Sequence, residues 1–313
     1  CKRQDNNSIL FHKRKIAKIQ FQFFQPSISF VPFIYIHPLQ TKFYIPHPLL
    51  QEFVQCIMLV HAEIDPAAGP VLCPYPPTPQ NSLFFYINDR IKVQLEGTDT
   101  YIEQPRSVIV GPQLNRVRID VDHNHKAVRV GFHPGGLHRL LGLSLAEMID
   151  GSYDAEDVFG AEMKELNNKL QEADGFDAIK DVVEQFLLQK VHSLKQVLPF
   201  DRAMLELVRS EGSISIEKIA SLACLSLRQF ERVSKERIGL PPKLFARIIR
   251  FSKAYRIRES SPDISWTKIA YECNYFDQMH LIRDFKQFAG VAPGVIEKEL
   301  DGLPIRLQAS LRL

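Results

Sequence analysis

The sequence predicts an α+β chain, with a β-rich N-terminal region followed by an all-helical C-terminal region. Two observations carry this prediction. Between Tyr44 and Gly131, short runs of β-branched and aromatic residues alternate with Gly, Pro, Asn or Asp, as strands and turns do. Beyond Asp201, one helical pattern of apolar residues occurs twice, about fifty residues apart. The 313 residues suffice for two hydrophobic cores.

The strand-like runs are SLFFYI, IKVQLEG, RSVIVG, RVRIDV and KAVRVGF, and their spacing predicts a small barrel or sandwich. A helix is predicted before them in HPLLQEFVQCIML, because Leu49, Phe53 and Ile57 are spaced four apart. The proline-rich DPAAGPVLCPYPPTPQ is predicted to be a loop. After FHPGG the apolar period becomes helical, and Asp201 is expected to cap the helix RAMLELVRS.

Charge is unevenly distributed along the chain. Residues 134–187 contain 12 acids and 4 Lys or Arg, whereas residues 228–258 contain 10 Lys or Arg and 2 Glu. A basic block of this kind points to a polyanionic partner. The five scattered cysteines favour reduced thiols in a cytoplasmic protein over disulfides or a zinc site. The sequence contains no run of eighteen uninterrupted apolar residues, so no membrane-spanning helix is predicted.

The repeat predicts two helix-turn-helix units. Ile216, Ile219, Ala220 and Ala223 recur fifty residues later as Trp266, Ile269, Ala270 and Cys273, which is one face of a short helix. Ser215 and Ser265 are the expected N-caps. Cys224 and Asn274 occupy the turn, at a position where a positive φ would favour glycine. Ser226, with Gln229, and Asp277 are expected to begin the two longer helices.

A basic helix, KLFARIIRFSKAYRIR, joins the two units and contains no acid. A solvated helix face normally mixes both signs of charge, so contact with phosphates is the favoured interpretation. The side chains expected to remain for solvent or phosphate are Lys243, Arg247, Arg250, Lys253, Arg256 and Arg258.

These features resemble the DNA-binding domain of the AraC/XylS family of transcriptional regulators. The resemblance rests on the following residues: Ala220, Ser226, Phe230, Arg232, Lys235, Gly239, Arg250, Ala254, Ile269, Ala270, Asp277, Leu281, Arg283, Phe285, Lys286, Gly290 and Pro293. It implies seven helices, with two recognition helices in successive major grooves. Upstream, GFHPGGLHRLLGLSLAEMIDGSYDAEDVFG is similar to the end of the β-rich domain of some members, which implies a small cupin-like barrel.

The predicted organisation has five parts. They are an irregular extension at 1–40, a β-rich sensing or dimerisation domain with acidic helices at 41–192, a linker at 193–200, the DNA-binding domain at 201–300 and a tail at 301–313.

The candidate site is a surface that binds double-stranded DNA. Base readout is expected from Arg228, Gln229, Arg232, Gln278, Met279, His280 and Arg283. Phosphate contact is expected from Ser226, Lys235, Lys243, Arg247, Arg250, Lys253 and Lys286. A competing interpretation is that the repeated Arg232 and Arg283 form ion pairs that hold the fold.

No catalytic residue, cofactor or metal site is predicted. His123 and His125 could face one way on a strand, but no carboxylate follows them, so a polar turn is favoured. We therefore expect a regulator and not an enzyme, with an unknown small-molecule effector, RNA polymerase and a second copy of the chain as further expected partners. The alternatives are a cupin-like metal enzyme fused to a DNA-binding domain, and a regulator whose N-terminal domain binds only a protein.

Overall fold

The computed structural model describes residues 39–66, 71–95, 97–301, 303 and 308. The predicted extension at 1–40, apart from its last two residues, and most of the tail at 301–313 lie outside the described residues. The strands are β1 (Gln40–Tyr44), β2 (Val54–Glu63), β3 (Val71–Tyr75), β4 (Ser82–Tyr86), β5 (Lys92–Leu95), β6 (Tyr101–Glu103), β7 (Ser107–Val110), β8 (Val117–Val121), β9 (Asn124–Phe132) and β10 (Ser152–Asp154).

The strands form two antiparallel sheets, which confirms the predicted β-rich N-terminal region. One sheet has the order β1-β2-β9-β4-β7-β10, and the other has the order β3-β8-β5-β6. Side chains alternate between the two faces of a strand. On β9, Val128, Val130 and Phe132 join the core on one face, while Ala127 joins a second core on the other face. The six-stranded sheet is therefore buried on both sides.

Helices cover the first of these faces. The N-terminal region contains α1 (Gly136–Leu141), α2 (Ala155–Phe159), α3 (Ala161–Glu172) and α4 (Gly175–Lys190), with a 3-10 helix at Leu145–Met148. Leu166 and Leu170 of α3 and Ile179 and Val183 of α4 pack with the sheet residues in one core. The helices predicted after FHPGG are thus present, and they form one layer against the β-rich part.

The C-terminal region contains seven helices between residues 199 and 300, as predicted. They are α5 (Pro199–Arg209), α6 (Ile216–Leu222), α7 (Leu227–Arg237), α8 (Pro242–Ser260), α9 (Trp266–Glu272), α10 (Gln278–Phe288) and α11 (Pro293–Leu300). Their core is continuous through both repeats and includes Phe230, Ile249, Tyr255 and Phe285. The fold class is therefore α+β, with the helix-turn-helix pair at the C-terminal end.

Three local predictions are wrong. HPLLQEFVQCIML forms turns and then β2, because Val54–Glu63 pairs with β1 on one side and with β9 on the other. The proline-rich segment contains β3, which is an edge strand and so tolerates Pro74. The N-cap of α5 is Leu198 and not Asp201. The Asp201 carboxylate instead accepts a hydrogen bond from the backbone N–H of Leu198 at 2.8 Å.

The two regions pack directly against each other and belong to one compact unit. Leu114, from the loop after β7, packs on the C-terminal core, and Arg116 forms a 2.8 Å ion pair with Glu299 of α11. Residues 194–198 are non-helical and precede α5. No helix in the described part of the chain is long and apolar enough to cross a membrane.

Candidate DNA-binding surface

The two helix-turn-helix units have the same local geometry. Ser215 and Ser265 each accept a hydrogen bond at 3.3 Å from the backbone N–H three residues on. Cys224 and Asn274 have φ values of 55° and 56°. In each copy, the N–H of the following residue donates a 3.0 Å hydrogen bond to the carbonyl five residues earlier. Leu225 donates to Ala220, and Tyr275 donates to Ala270. Both turns are thus Schellman-type helix ends, and Cys224 and Asn274 adopt the positive φ that would favour glycine.

The longer helix of each unit is fixed by one buried face. Phe230 of α7 and Leu281 and Phe285 of α10 are fully buried. Ser234, which the sequence pairs with Phe285, is also buried, and its hydroxyl donates to the carbonyl of Leu240 at 2.6 Å. That hydrogen bond satisfies a polar group in a position that the second repeat fills with an aromatic ring.

The opposite faces of α7 and α10 are exposed, and every predicted base-reading residue lies on them: Arg228, Gln229, Arg232, Gln278, Met279, His280 and Arg283. Arg232 is 3.8 Å from Glu236 in an exposed pair that is too weak to define the fold. This pair therefore gives little support to the competing interpretation that Arg232 holds the fold through an ion pair.

Two predicted readers are partly engaged within the protein. The side-chain Oε1 of Gln229 accepts from the backbone N–H of Ser226 at 3.0 Å, so Gln229 completes a capping box. Asp277 caps α10 by accepting from the His280 N–H at 2.8 Å, and this bond lowers the pKa of Asp277. Its carboxylate also lies 3.0 Å from His280 Nδ1. The His280 ring is therefore oriented by the cap.

The view of the joining helix α8 as a free basic face needs correction. Arg247 bonds Asp284 of α10 at 2.7 Å, and Arg250 donates to the carbonyl of Gly212 at 2.8 Å. Lys253 pairs with Glu211 and donates to the carbonyl of Glu272 at 2.8 Å. Arg258 is buried, with its guanidinium 4.2 Å from the Trp266 ring centroid. Most of the bases of this helix thus bond to acids, carbonyls or rings on neighbouring elements and are not free for phosphate.

Four of the predicted phosphate contacts remain exposed: Ser226, Lys235, Lys243 and Lys286.

Sequence reasoning missed two exposed aromatic side chains on the second unit, Phe276 at 93% and Tyr271 at 84% exposure. The sequence could have indicated their exposure only indirectly, because both residues lie outside the repeated apolar positions that form the buried face. Phe276 lies in the turn before α10 and stacks edge-on against His280.

The histidines considered for metal binding are separated by the fold. His125 is buried on β9, while His123 lies in the turn before it. Burial lowers the pKa of His125 to about 4. No group of three or more His, Cys, Asp or Glu residues suited to a metal occurs among the described residues.

Comparison with known proteins agrees with this geometry. Residues 219–299 match a family model described as a helix-turn-helix domain, and residues 42–154 match one described as a domain of unknown function. The chain is 34% identical over 89 residues to the transcriptional activator RhaS of Escherichia fergusonii, covering 28% of this chain and 32% of RhaS. It is 30% identical over 91 residues to the transcriptional regulator MtrA of Neisseria gonorrhoeae, covering 29% and 30%.

The chain thus spans about a third of the length of these curated relatives, all of which are transcription regulators. Among solved structures, ToxT from Vibrio cholerae matches over 84% of this chain and 98% of its own, with 14% identity and a TM-score of 0.44. The matches to the helix-turn-helix model and to the regulators fall on the repeated helices. The C-terminal region of this chain is therefore an AraC-type helix-turn-helix domain, and it follows a β-rich N-terminal region.

Proposed function

We propose that the chain is a sequence-specific DNA-binding transcription regulator that reads two successive major grooves. The observation that carries the proposal is the pair of exposed recognition helices, α7 and α10, which follow turns of the same geometry and pack on one continuous core. Two such helices on one chain can read segments about one helical turn apart, roughly 34 Å.

Base contacts follow from the chemistry of the exposed side chains. Arg228 and Arg232 are four residues apart on α7 and suit guanine, whose N7 and O6 accept from a guanidinium. On α10, Gln278 suits adenine and Met279 suits a thymine methyl, while Arg283 lies one turn further on. Gln229 has its Oε1 occupied in the capping box, so only its amide N–H donors remain for a base. His280 could contact a base or a phosphate.

Phosphate contacts are assigned first to the exposed Ser226, Lys235, Lys243 and Lys286. Arg247, Arg250 and Lys253 are given a secondary role, because each would have to leave an internal partner to reach DNA. Their main contribution is then to hold α8 against the two helix-turn-helix units.

The N-terminal region is proposed to sense a small molecule or to mediate dimerisation, with RNA polymerase as a further protein partner. The matched regulators support a non-enzymatic role in the cytoplasm. A cupin-like metal enzyme is the weaker alternative. A regulator whose N-terminal region binds only a protein is the other alternative.

The test is DNA selection with the full chain, followed by fluorescence anisotropy on the enriched duplex and on random duplex at one fixed salt concentration. Arg228→Ala should weaken binding to the enriched duplex by about 1–3 kcal/mol and relax preference in one half of the site. Met279→Ala should relax preference in the other half. Arg209→Ala, an exposed arginine on α5, is the matched control and should leave binding unchanged.

If Arg228→Ala and Met279→Ala weaken binding to enriched and random duplex equally, these residues do not read bases. If selection enriches no sequence at all, the proposal of sequence-specific regulation fails as a whole.

A further inference from the structure

The second helix-turn-helix unit contains one residue more than the first, and that residue is Phe276. Equivalent positions are fifty residues apart up to Leu225 and Tyr275, and fifty-one apart from Ser226 and Asp277 onward. Phe276 therefore lies directly before the N-cap of α10, at a place where the first unit has no residue. The residues that favour turns are Gly, Pro, Asn, Asp and Ser, whereas this added residue is a large aromatic.

The packing of the turn does not account for this aromatic side chain. A hydrophobic residue just before an N-cap often packs against the fourth residue of the helix. In α10 that residue is Leu281, which is fully buried in the core, whereas Phe276 is 93% exposed. Tyr275, one position earlier, is the residue of this turn that packs into the C-terminal core. The ring of Phe276 thus faces solvent and adds little buried area to the fold.

The ring nevertheless has a defined position. It lies edge-on against the His280 ring, with 5.9 Å between the two ring centroids and 90° between the two planes. The His280 ring is oriented in turn by Asp277, whose carboxylate lies 3.0 Å from its Nδ1. Phe276 is therefore held beside the first turn of the recognition helix before a partner binds, and such preorganisation lowers the entropic cost of binding.

The surroundings of Phe276 point to DNA as its partner. Gln278, Met279 and His280 are exposed in the first turn of α10, and the N-terminal residues of a recognition helix contact base edges in the major groove. The apolar group that base edges present in this groove is the C5-methyl group of thymine, which phenylalanine side chains contact. A single exposed ring between polar side chains matches an isolated methyl group between hydrogen-bonding groups.

We propose that Phe276 is a specificity-determining residue whose ring contacts the C5-methyl group of a thymine in the half of the site that α10 reads. The contact adds a base pair to those assigned to Gln278 and Met279. This inference rests on the proposed base readout by α10 and extends it. Because the first unit has no residue at this position, the contact belongs to one half of the site only.

The test replaces the thymines of the enriched duplex, one at a time, by deoxyuridine, which lacks only the C5-methyl group. Fluorescence anisotropy with the full chain measures the affinity for each duplex. Loss of one packed methyl group should weaken binding about fourfold. In the half read by α10, we expect this effect at the thymine that Met279 contacts and at a second thymine, which Phe276 contacts.

Phe276→Ala should abolish the deoxyuridine effect at the second thymine and keep it at the first, whereas Met279→Ala should do the reverse. Phe276→Leu retains an apolar side chain and should keep an effect of at least about twofold at the second thymine. Tyr271→Ala is the matched control, because it removes an aromatic ring of similar exposure, 84%, from α9 and should keep both effects. Since the Phe276 ring is exposed, Phe276→Ala should unfold at the Tm of the unaltered chain.

The inference fails if no thymine in the site shows a deoxyuridine effect that depends on Phe276. Unchanged affinity of Phe276→Ala for the enriched duplex would also overturn it and would favour contact of the ring with a protein. Either result leaves the proposed function intact while Arg228→Ala and Met279→Ala still discriminate between enriched and random duplex. If selection enriches no sequence, the inference and the proposed function fail together.

Discussion

At the scale of the residue, the basic side chains of the C-terminal region divide by what they touch. Lys235, Lys243 and Lys286 extend into solvent, whereas Arg247 and Arg250 donate to acceptors on neighbouring helices. A solvated lysine can release counterions when it meets a phosphate. An arginine that already bonds inside the protein contributes to stability first.

This division predicts different effects of two alanine substitutions. Lys235→Ala should reduce the slope of log binding constant against log salt concentration by about one, because one phosphate contact is lost. Arg250→Ala should leave that slope unchanged and lower the urea midpoint instead, because Gly212 loses its donor and the Tyr275 ring loses its cation. Fluorescence anisotropy at several salt concentrations and urea unfolding measure the two effects.

Lys169→Ala is the control for this comparison, since Lys169 is an exposed lysine on α3 in the N-terminal region. A changed salt slope for Arg250→Ala, with unchanged stability, would return that arginine to the phosphate-binding set.

The sequence predicted which residues are exposed on the recognition helices, because exposure there follows from the helical period. It did not predict the partners of the α8 bases, because Arg247 and Asp284 are 37 residues apart and their pairing depends on tertiary packing. Arg129 illustrates the same limit. Its strand was predicted, but the burial of its guanidinium depends on the second sheet, which closes over β9.

At the scale of the element, the two turns are the same structure built from different residues. Cys224 and Asn274 both adopt a left-handed conformation. Asparagine tolerates that conformation because its short polar side chain can bond locally, whereas cysteine gains no such compensation. The two copies of the motif therefore differ in how much strain they contain.

We predict that Cys224→Gly stabilises the chain by about 1 kcal/mol, since the left-handed conformation costs a non-glycine residue about 1–2 kcal/mol. Asn274→Gly should stabilise it by less. Urea unfolding of the full chain, followed through Trp266, measures both. Cys224→Ala is the control, because it removes the thiol and keeps the Cβ. If the alanine variant is stabilised as much as the glycine variant, the thiol and not the backbone is responsible.

The elements predicted wrongly are those in which pairing with adjacent strands outweighs the local sequence pattern. Leu49, Phe53 and Ile57 are spaced as in a helix, yet Ile57 lies in β2 between two hydrogen-bonded strands. Pro74 removes one backbone donor from β3, which an edge position makes tolerable. The helix-turn-helix pair was predicted correctly because its contacts are local and because the same apolar pattern occurs in both copies of the repeat.

At the scale of the whole molecule, one loop touches both the cavity of about 120 Å³ between the two sheets and the C-terminal region. Gln113 lines the cavity, and Leu114 packs on the C-terminal core. Gly239, at the end of α7, lies against Pro112 of the same loop and against Leu145. A side chain at Gly239 has no room, because an added Cβ would lie 2.5 Å from Pro112 Cγ and 2.7 Å from the Leu145 carbonyl oxygen.

Gly239 and Gly290 occupy equivalent positions in the two repeats, with φ values of 86° and 69°. Alanine at either position carries the cost of a left-handed conformation, about 1–2 kcal/mol. Gly290 is exposed in the structure, so Gly290→Ala provides a control with the same backbone strain. The difference between the two variants then reports the contact between the regions.

We predict that Gly239→Ala, but not Gly290→Ala, accelerates hydrogen exchange at the backbone amides of Leu114 and Asn115. Both amides donate to the Asp150 carboxylate, so they are protected while the loop stays in place. The added methyl group of Gly239→Ala pushes on Pro112 and should open that loop without unfolding the chain. Equal exchange rates in the two variants, at equal losses of global stability, would show that the loop does not depend on its contact with α7.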